Sequence, residues 1–172
     1  MGYVPFGNAM FFAVGGYSTA VAMGAGIPFF LTLPVAACVS VVISVLIGLP
    51  VLRLRGHYFA VATIGVSGAL MSVVQNVEFT GGAMGTTLPI LNASPAQASV
   101  FFYLAMLGLL VVANVTTWLI LRSRFGFGIR AIRANEDAAN SRGINTTLYK
   151  VLNWSISAVL TSLAGSFYAY WM

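Results

Sequence analysis

Apolar residues run along this chain in five blocks, at 6–23, 29–52, 58–75, 99–121 and 151–171, with polar connectors between them. A helix needs about 20 apolar residues to cross the hydrocarbon of a bilayer, and in lipid every backbone N–H and C=O must be satisfied within the segment. The pattern therefore predicts an all-α fold, a polytopic transmembrane helix bundle of about five spans. The first and third blocks are short and carry glycine. Pro34 and Pro50 lie inside the second block with Gly48 close by, which predicts a kink or break near its far end.

The connectors differ in character. Residues 24–28 form a Gly/Pro turn, 53–57 read Arg-Leu-Arg-Gly-His, 76–98 are polar and Gly-rich, and 122–150 are long and basic. All eight Lys and Arg fall in the second and fourth of these: Arg53 and Arg55, then Arg122, Arg124, Arg130, Arg133, Arg142 and Lys150. Cations near helix ends are retained on the cytoplasmic side. Two blocks separate the basic connectors, so both 53–57 and 122–150 are expected in the cytoplasm, with the N-terminus inside and the C-terminus outside. Trp118, Trp154, Trp171, Tyr58, Tyr149 and Tyr170 are then expected near the two interfaces.

Composition agrees. Hydrophobic residues make up 59% of the 172 and charged residues 6%, and no charged side chain occurs before Arg53. A soluble domain carries about 25% charge, so the net charge of +5 marks cytoplasmic connectors rather than a nucleic-acid partner. The apolar start lacks a basic leader, so the first helix is expected to be retained. Cys38 is the one cysteine, which excludes an internal disulfide or thiolate metal site and makes it a small core hydrophobe. Small residues recur at every fourth position at Gly16, Ala20 and Gly24, and again at Ser157, Thr161, Gly165 and Ala169. Such stripes allow close helix packing in lipid; lining a solute path is the alternative.

The chain carries little that could do chemistry. His57 is the one histidine, a solvated connector residue by its surroundings, and the carboxylates Glu78, Glu136 and Asp137 lie outside the apolar blocks. No catalytic triad, paired-carboxylate site or metal cluster can be assembled, and no intramembrane acid is present to carry a coupling proton. Uncharged polar residues within the blocks, Ser18, Thr19, Thr63, Ser67, Ser72 and Gln75, suit the path of a neutral or zwitterionic solute, or else hydrogen-bond between helices. Connector 122–150 is too patterned for a simple turn. Residues 126–134 read as one short helix with Ile129 and Ile132 on one face and Arg130 and Arg133 beside them. A second opens on an Asn135 cap with Glu136 and Asp137 in its first turn, Arg142 in its last, and Gly143 as its left-handed stop. Asn145 or Thr146 can cap the helix that re-enters the membrane. The result is a helix-turn-helix plate, with Ala138 and Ala139 leaving room for another surface; an amphipathic connector lying on anionic lipid is the alternative.

Residues 137–143, Asp-Ala-Ala-Asn-Ser-Arg-Gly, resemble the EAA loop by which ABC importer permeases dock on their ATPases. The flanking 123–133, 143–145 and 149–150 are similar to the same region of branched-chain amino acid permeases of the LivM type. Residues 52–63 resemble that family's LRLRG-x-YFA-x-x-T run, Thr80-Gly81-Gly82-Ala83-Met84-Gly85 its external TGG-x-x-G loop, and 6–17 its LGHAAFFGIGAY segment. His57 stands where the family often has Asp, and Gly68 near an acidic or amide position, so contacts there are not carried over. The chain begins inside the family's early motif and stops before its later helices, which implies a piece or a shortened relative.

The resemblance implies a single transmembrane permease domain over 1–172, with 122–150 as its cytoplasmic coupling loop, in a bacterial or archaeal cytoplasmic (inner) membrane. It implies a permease subunit, not an enzyme, for branched-chain amino acids or similar small neutral or zwitterionic solutes, urea and short amides being in the same range. Its partners would be two ABC ATPase subunits, a second related permease, an external substrate-binding protein and the bilayer, with no nucleic acid. The chain itself would bind no cofactor, ATP and Mg belonging to the ATPases. Arg130, Arg133, Glu136, Asp137, Ala138, Ala139 and Gly143 would make the ATPase contact, Glu136 and Asp137 oriented by a partner's basic groups. Thr80, Gly81, Gly82 and Gly85 would form the external loop, its N–H groups turned toward a carboxylate or simply making turns. Two other classes stay open: a nucleotide-independent channel or secondary carrier, and a structural membrane subunit.

Overall fold

A computed structural model describes residues 6–54, 57–77 and 95–171, and the regular structure among them is helical. A single 3-10 turn at Phe6–Asn8 leads into α1 (Ala9–Gly24), followed by α2 (Phe29–Val51), α3 (His57–Asn76), α4 (Pro95–Arg122), two short helices α5 (Arg124–Ala134) and α6 (Glu136–Ser141), and α7 (Thr146–Trp171). Three of the helices, α2, α3 over Tyr58–Asn76 and α4 over Ala98–Arg122, are long and apolar enough to cross a membrane. Of the five expected blocks, the first gives only the 16 residues of α1. The last gives the 26 residues of α7, where serines and threonines dilute the apolar content.

The reason for those hydroxyls is the position of α7. It is the central helix, packed along α1 and α2 and touching α4, α5 and α6, so its polar groups meet protein rather than lipid. Ser44 and Ser155 hydroxyls lie 2.8 Å apart, Ser162 Oγ donates to the Ala36 carbonyl at 3.1 Å, and Ser166 Oγ donates to Gly15 at 3.2 Å. Asn8 bridges to α7 twice, donating to Ser157 Oγ and accepting from Trp154 Nε1. Interhelical hydrogen bonds of this kind contribute about 0.6 kcal/mol each in membranes, so their number rather than their individual strength holds the bundle.

Backbone approach completes the contact. A Cβ placed on Gly15 would strike the Ser162 carbonyl, and one on Gly165 the Phe12 carbonyl, while Gly16 lies 3.4 Å from Ala169 Cβ by the same construction. The expected stripes thus meet at Gly16, Gly165 and Ala169, with Gly15 closer still; Gly24 has nothing within 4 Å. A third stripe went unread in the sequence. Helix α2 buries Thr32, Ala36, Ser40, Ser44 and Gly48 at strict four-residue spacing, a small-residue seam against α7.

One expectation is corrected by this seam. Cys38 is exposed rather than in the core, because it lies two residues, about 200°, from Ala36 and Ser40 on the helix. Trp154 is buried rather than exposed on the helix surface, with its ring edge-on to Phe11 at 5.7 Å and to Phe59 at 6.0 Å. Tyr149 and Tyr170 are also packed, stacked on Phe125 and Phe29 respectively, whereas Trp118, Trp171 and Tyr58 are exposed. Helix α2 runs unbroken through Pro34 and ends one residue after Pro50, so the expected break is simply its terminus.

Candidate functional site

The segment between α4 and α7 folds into two short helices, as the sequence pattern predicts, but the first opens at Arg124 rather than Gly126 and the second ends at Ser141, leaving Arg142 outside its last turn. Ser123 caps α5, its hydroxyl accepting from the Gly126 N–H at 3.2 Å and donating to the Ile120 carbonyl. Asn135 caps α6 with one side-chain oxygen accepting from the Asp137 and Ala138 N–H groups at 3.0 and 3.1 Å. Helix α6 ends at Ser141, Arg142 is its cap, and Gly143 takes φ +84 as the stop. Asn145, rather than Thr146, caps α7 by accepting from the Leu148 N–H. An Asn or Ser cap contributes about 1 kcal/mol, enough to fix the ends of helices this short.

The plate is fastened to the bundle from below. Ile129 and Ile132 are buried, Phe125 stacks on Tyr149 at 4.9 Å, and Gly128 leaves room for the same tyrosine ring. Gly126 sits against the Ile120 carbonyl and Arg130 donates to the Leu121 carbonyl, joining α5 to the end of α4. The outer surface then presents Phe127, which is 64% exposed with Arg130 over its ring, together with Arg133, Asp137, Ala138, Asn140 and Arg142. Two expected contact residues point elsewhere. Ala139 is buried against the protein, and Glu136 finds its cation within the chain, 2.5 Å from Lys150 Nζ.

Lys150 Nζ also donates to the Leu52 carbonyl at 3.4 Å. That contact brings the end of α2, and with it Arg53, to the same end of the bundle as α5 and α6. Both basic connectors therefore share one pole, as the charge distribution requires if it faces the cytoplasm. Lys150 was read in the sequence as one more loop cation; no periodicity marks a lysine at a helix start as buried.

The polar residues proposed to line a path are scattered. Thr63 is buried with its hydroxyl donating to the Ala60 carbonyl, Ser18 and Ser67 are half-buried, and Ser72 and Gln75 are exposed on α3. Thr19 is fully buried, and its hydroxyl has no hydrogen-bond partner among the described residues. The carbonyl one turn back, Gly15, accepts from Ser166 instead. Thr80, Gly81, Gly82 and Gly85 lie outside the described residues, as do Arg55 and the side chain of His57. Among the described residues no group of acids, cysteines or histidines could hold a metal.

Comparison with known proteins supplies the family. Residues 1–171 match the model described as branched-chain amino acid transport system / permease component. The chain is 31% identical over 98% of its length to the high-affinity branched-chain amino acid transport system permease protein LivM of Salmonella typhimurium, and 29% identical to LivM of Escherichia coli. It spans 46% of either relative. The autoinducer 2 import system permease protein LsrC of Salmonella paratyphi B is 28% identical over 63% of the chain and 31% of its own length. No solved structure matches.

Proposed function

The chain belongs to the branched-chain amino acid transport system permease component family, whose members here are transporter permeases rather than enzymes, and from that premise we propose that it is a membrane-spanning subunit of an ATP-driven importer. In this reading α1 and α7 cross the bilayer with α2, α3 and α4, giving five spans. The pole that carries α5 and α6 faces the cytoplasm and receives an ABC ATPase. A second permease subunit completes the path, and an external binding protein delivers a branched-chain amino acid or a similar small zwitterion.

The observation that carries the reading is the α5–α6 plate. It is capped at both helix starts, anchored by buried isoleucines and a tyrosine–phenylalanine stack, and turns an exposed aromatic and several charges outward. A simple connector has no need of such rigidity, whereas a surface that receives mechanical force does. The absence of a charged side chain within the apolar blocks agrees, since energy for uptake must then arrive from a separate subunit.

Reconstitution tests this directly. Reconstituted in proteoliposomes with ABC ATPases and a binding protein of the same importer class, the permease is expected to accumulate tritiated leucine in an ATP-dependent manner. Uptake that proceeds without the ATPases would establish a channel or secondary carrier instead. Failure to capture any ATPase on an affinity resin would sink the docking role.

A further inference from the structure

Lys150 is the one lysine of the chain and is 2% exposed. A cation retained merely to orient a membrane protein has no reason to leave water, and a buried ammonium is costly unless its protons find partners. Here they find partners on different elements. Glu136, the first residue of α6, lies 2.5 Å away, and the carbonyl of Leu52, the cap of α2, lies 3.4 Å away. Val51, Leu52, Val151 and Trp154 pack together beside the site, which shields these contacts from water and strengthens them.

We propose that Lys150 is a positioning residue, a pin that fastens the start of α6 and the end of α2 to the first turns of α7. Displacement of the plate by a partner then reaches α2 and α7 together instead of being lost in the connectors. The proposal rests on the reading of α5–α6 as an ATPase-docking face, but the pin itself is a property of this chain. Each partner contributes differently. Removing the ammonium breaks the contacts from α7 to both Glu136 and the Leu52 carbonyl, whereas Glu136→Gln keeps an oxygen acceptor and leaves the α2 contact in place.

Nitroxide labels at the exposed positions Asn140 and Leu54 report the spacing of α6 and the end of α2 by pulsed electron resonance, in the full chain in lipid nanodiscs. Without any partner, the wild type and Glu136→Gln are expected to give one narrow distance distribution. Lys150→Met, which keeps the stem but not the charge, is expected to broaden it toward longer distances. With ATPases bound and ATP–vanadate added, the wild-type distance stays fixed while that of Lys150→Met lengthens. ATPase capture by Lys150→Met should be unchanged, and leucine uptake per ATP should fall about tenfold, in the range expected for a residue that carries coupling between sites.

If Lys150→Met fails to assemble, Glu136→Leu/Lys150→Met removes both charges without stranding either and takes its place in the same measurement. An unaltered Asn140–Leu54 distribution in the assembled variant would overturn the pin. Should the wild type capture no ATPase, the docking role falls, and the partner-free distances alone decide whether Lys150 joins the three helices.

Discussion

Gly15 and Gly165 show how little space separates α1 from α7, because a Cβ on either would overlap a backbone carbonyl of the other helix. Gly15→Leu is therefore expected to lower stability by about 1–3 kcal/mol or more, the range for overpacking a close contact. Gly24→Ala, where nothing lies within 4 Å, should leave the thermal midpoint in detergent nearly unchanged. Equal shifts for the two variants would contradict this packing. The four-residue spacing of Gly16, Gly165 and Ala169 was legible in the sequence. That Gly15 sits deeper than Gly16 was not, since adjacent glycines occupy neighbouring faces and spacing cannot rank them. Lys150 was misread for a related reason: charge patterning locates a cation along the chain but not the carboxylate and carbonyl that the fold brings to it.

Among the elements, the α5–α6 plate was the most legible, because caps, first-turn acids and a glycine stop are local signals read in the same residues that act. Its two central alanines differ, however. Ala139 is 3% exposed while Ala138 is exposed, a distinction that requires the rotation of α6 against α7. Ala138→Trp is expected to preserve the melting temperature and abolish ATPase capture. Ala139→Trp should destabilise the protein itself, read as a lower melting temperature before any partner is added. Helix α7 was legible as a long apolar block but not as the centre of the bundle. Of its serines only Ser157 entered the four-residue stripe; Ser155, Ser162 and Ser166 lie off that spacing, and the hydroxyl of Ser44 and the carbonyls of Ala36 and Gly15 opposite them explain why each is there. The α2 seam was present in plain four-residue spacing, hidden by an otherwise continuous apolar run.

For the whole molecule, the contact from α7 to the end of α2 gathers both basic connectors at one pole. Orientation then reduces to a single two-sided question. A cysteine replacing Arg130, in a background where Cys38 is serine, is expected to react with a membrane-impermeant maleimide in inside-out vesicles and not in intact cells. Labelling from the cell exterior would invert the arrangement and remove the docking face from the reach of any cytoplasmic ATPase. The class of the molecule was readable from hydropathy and charge alone, because bilayer thickness and the retention of cations act on composition rather than on tertiary detail. The route of the solute was not, since Ser72 and Gln75 face outward from α3 while Thr19 and Thr63 lie inside, and no spacing rule separates these surroundings.

The orphaned hydroxyl of Thr19 has a practical corollary for anyone purifying this protein. The isosteric Thr19→Val exchanges a hydroxyl with no partner among the described residues for a methyl of the same shape, a change that is neutral or favourable when no bond is lost. A variant that survives heating longer in detergent and still takes up leucine at the wild-type rate would give a hardier preparation. It would also strike that oxygen from the list of groups that greet a passing solute.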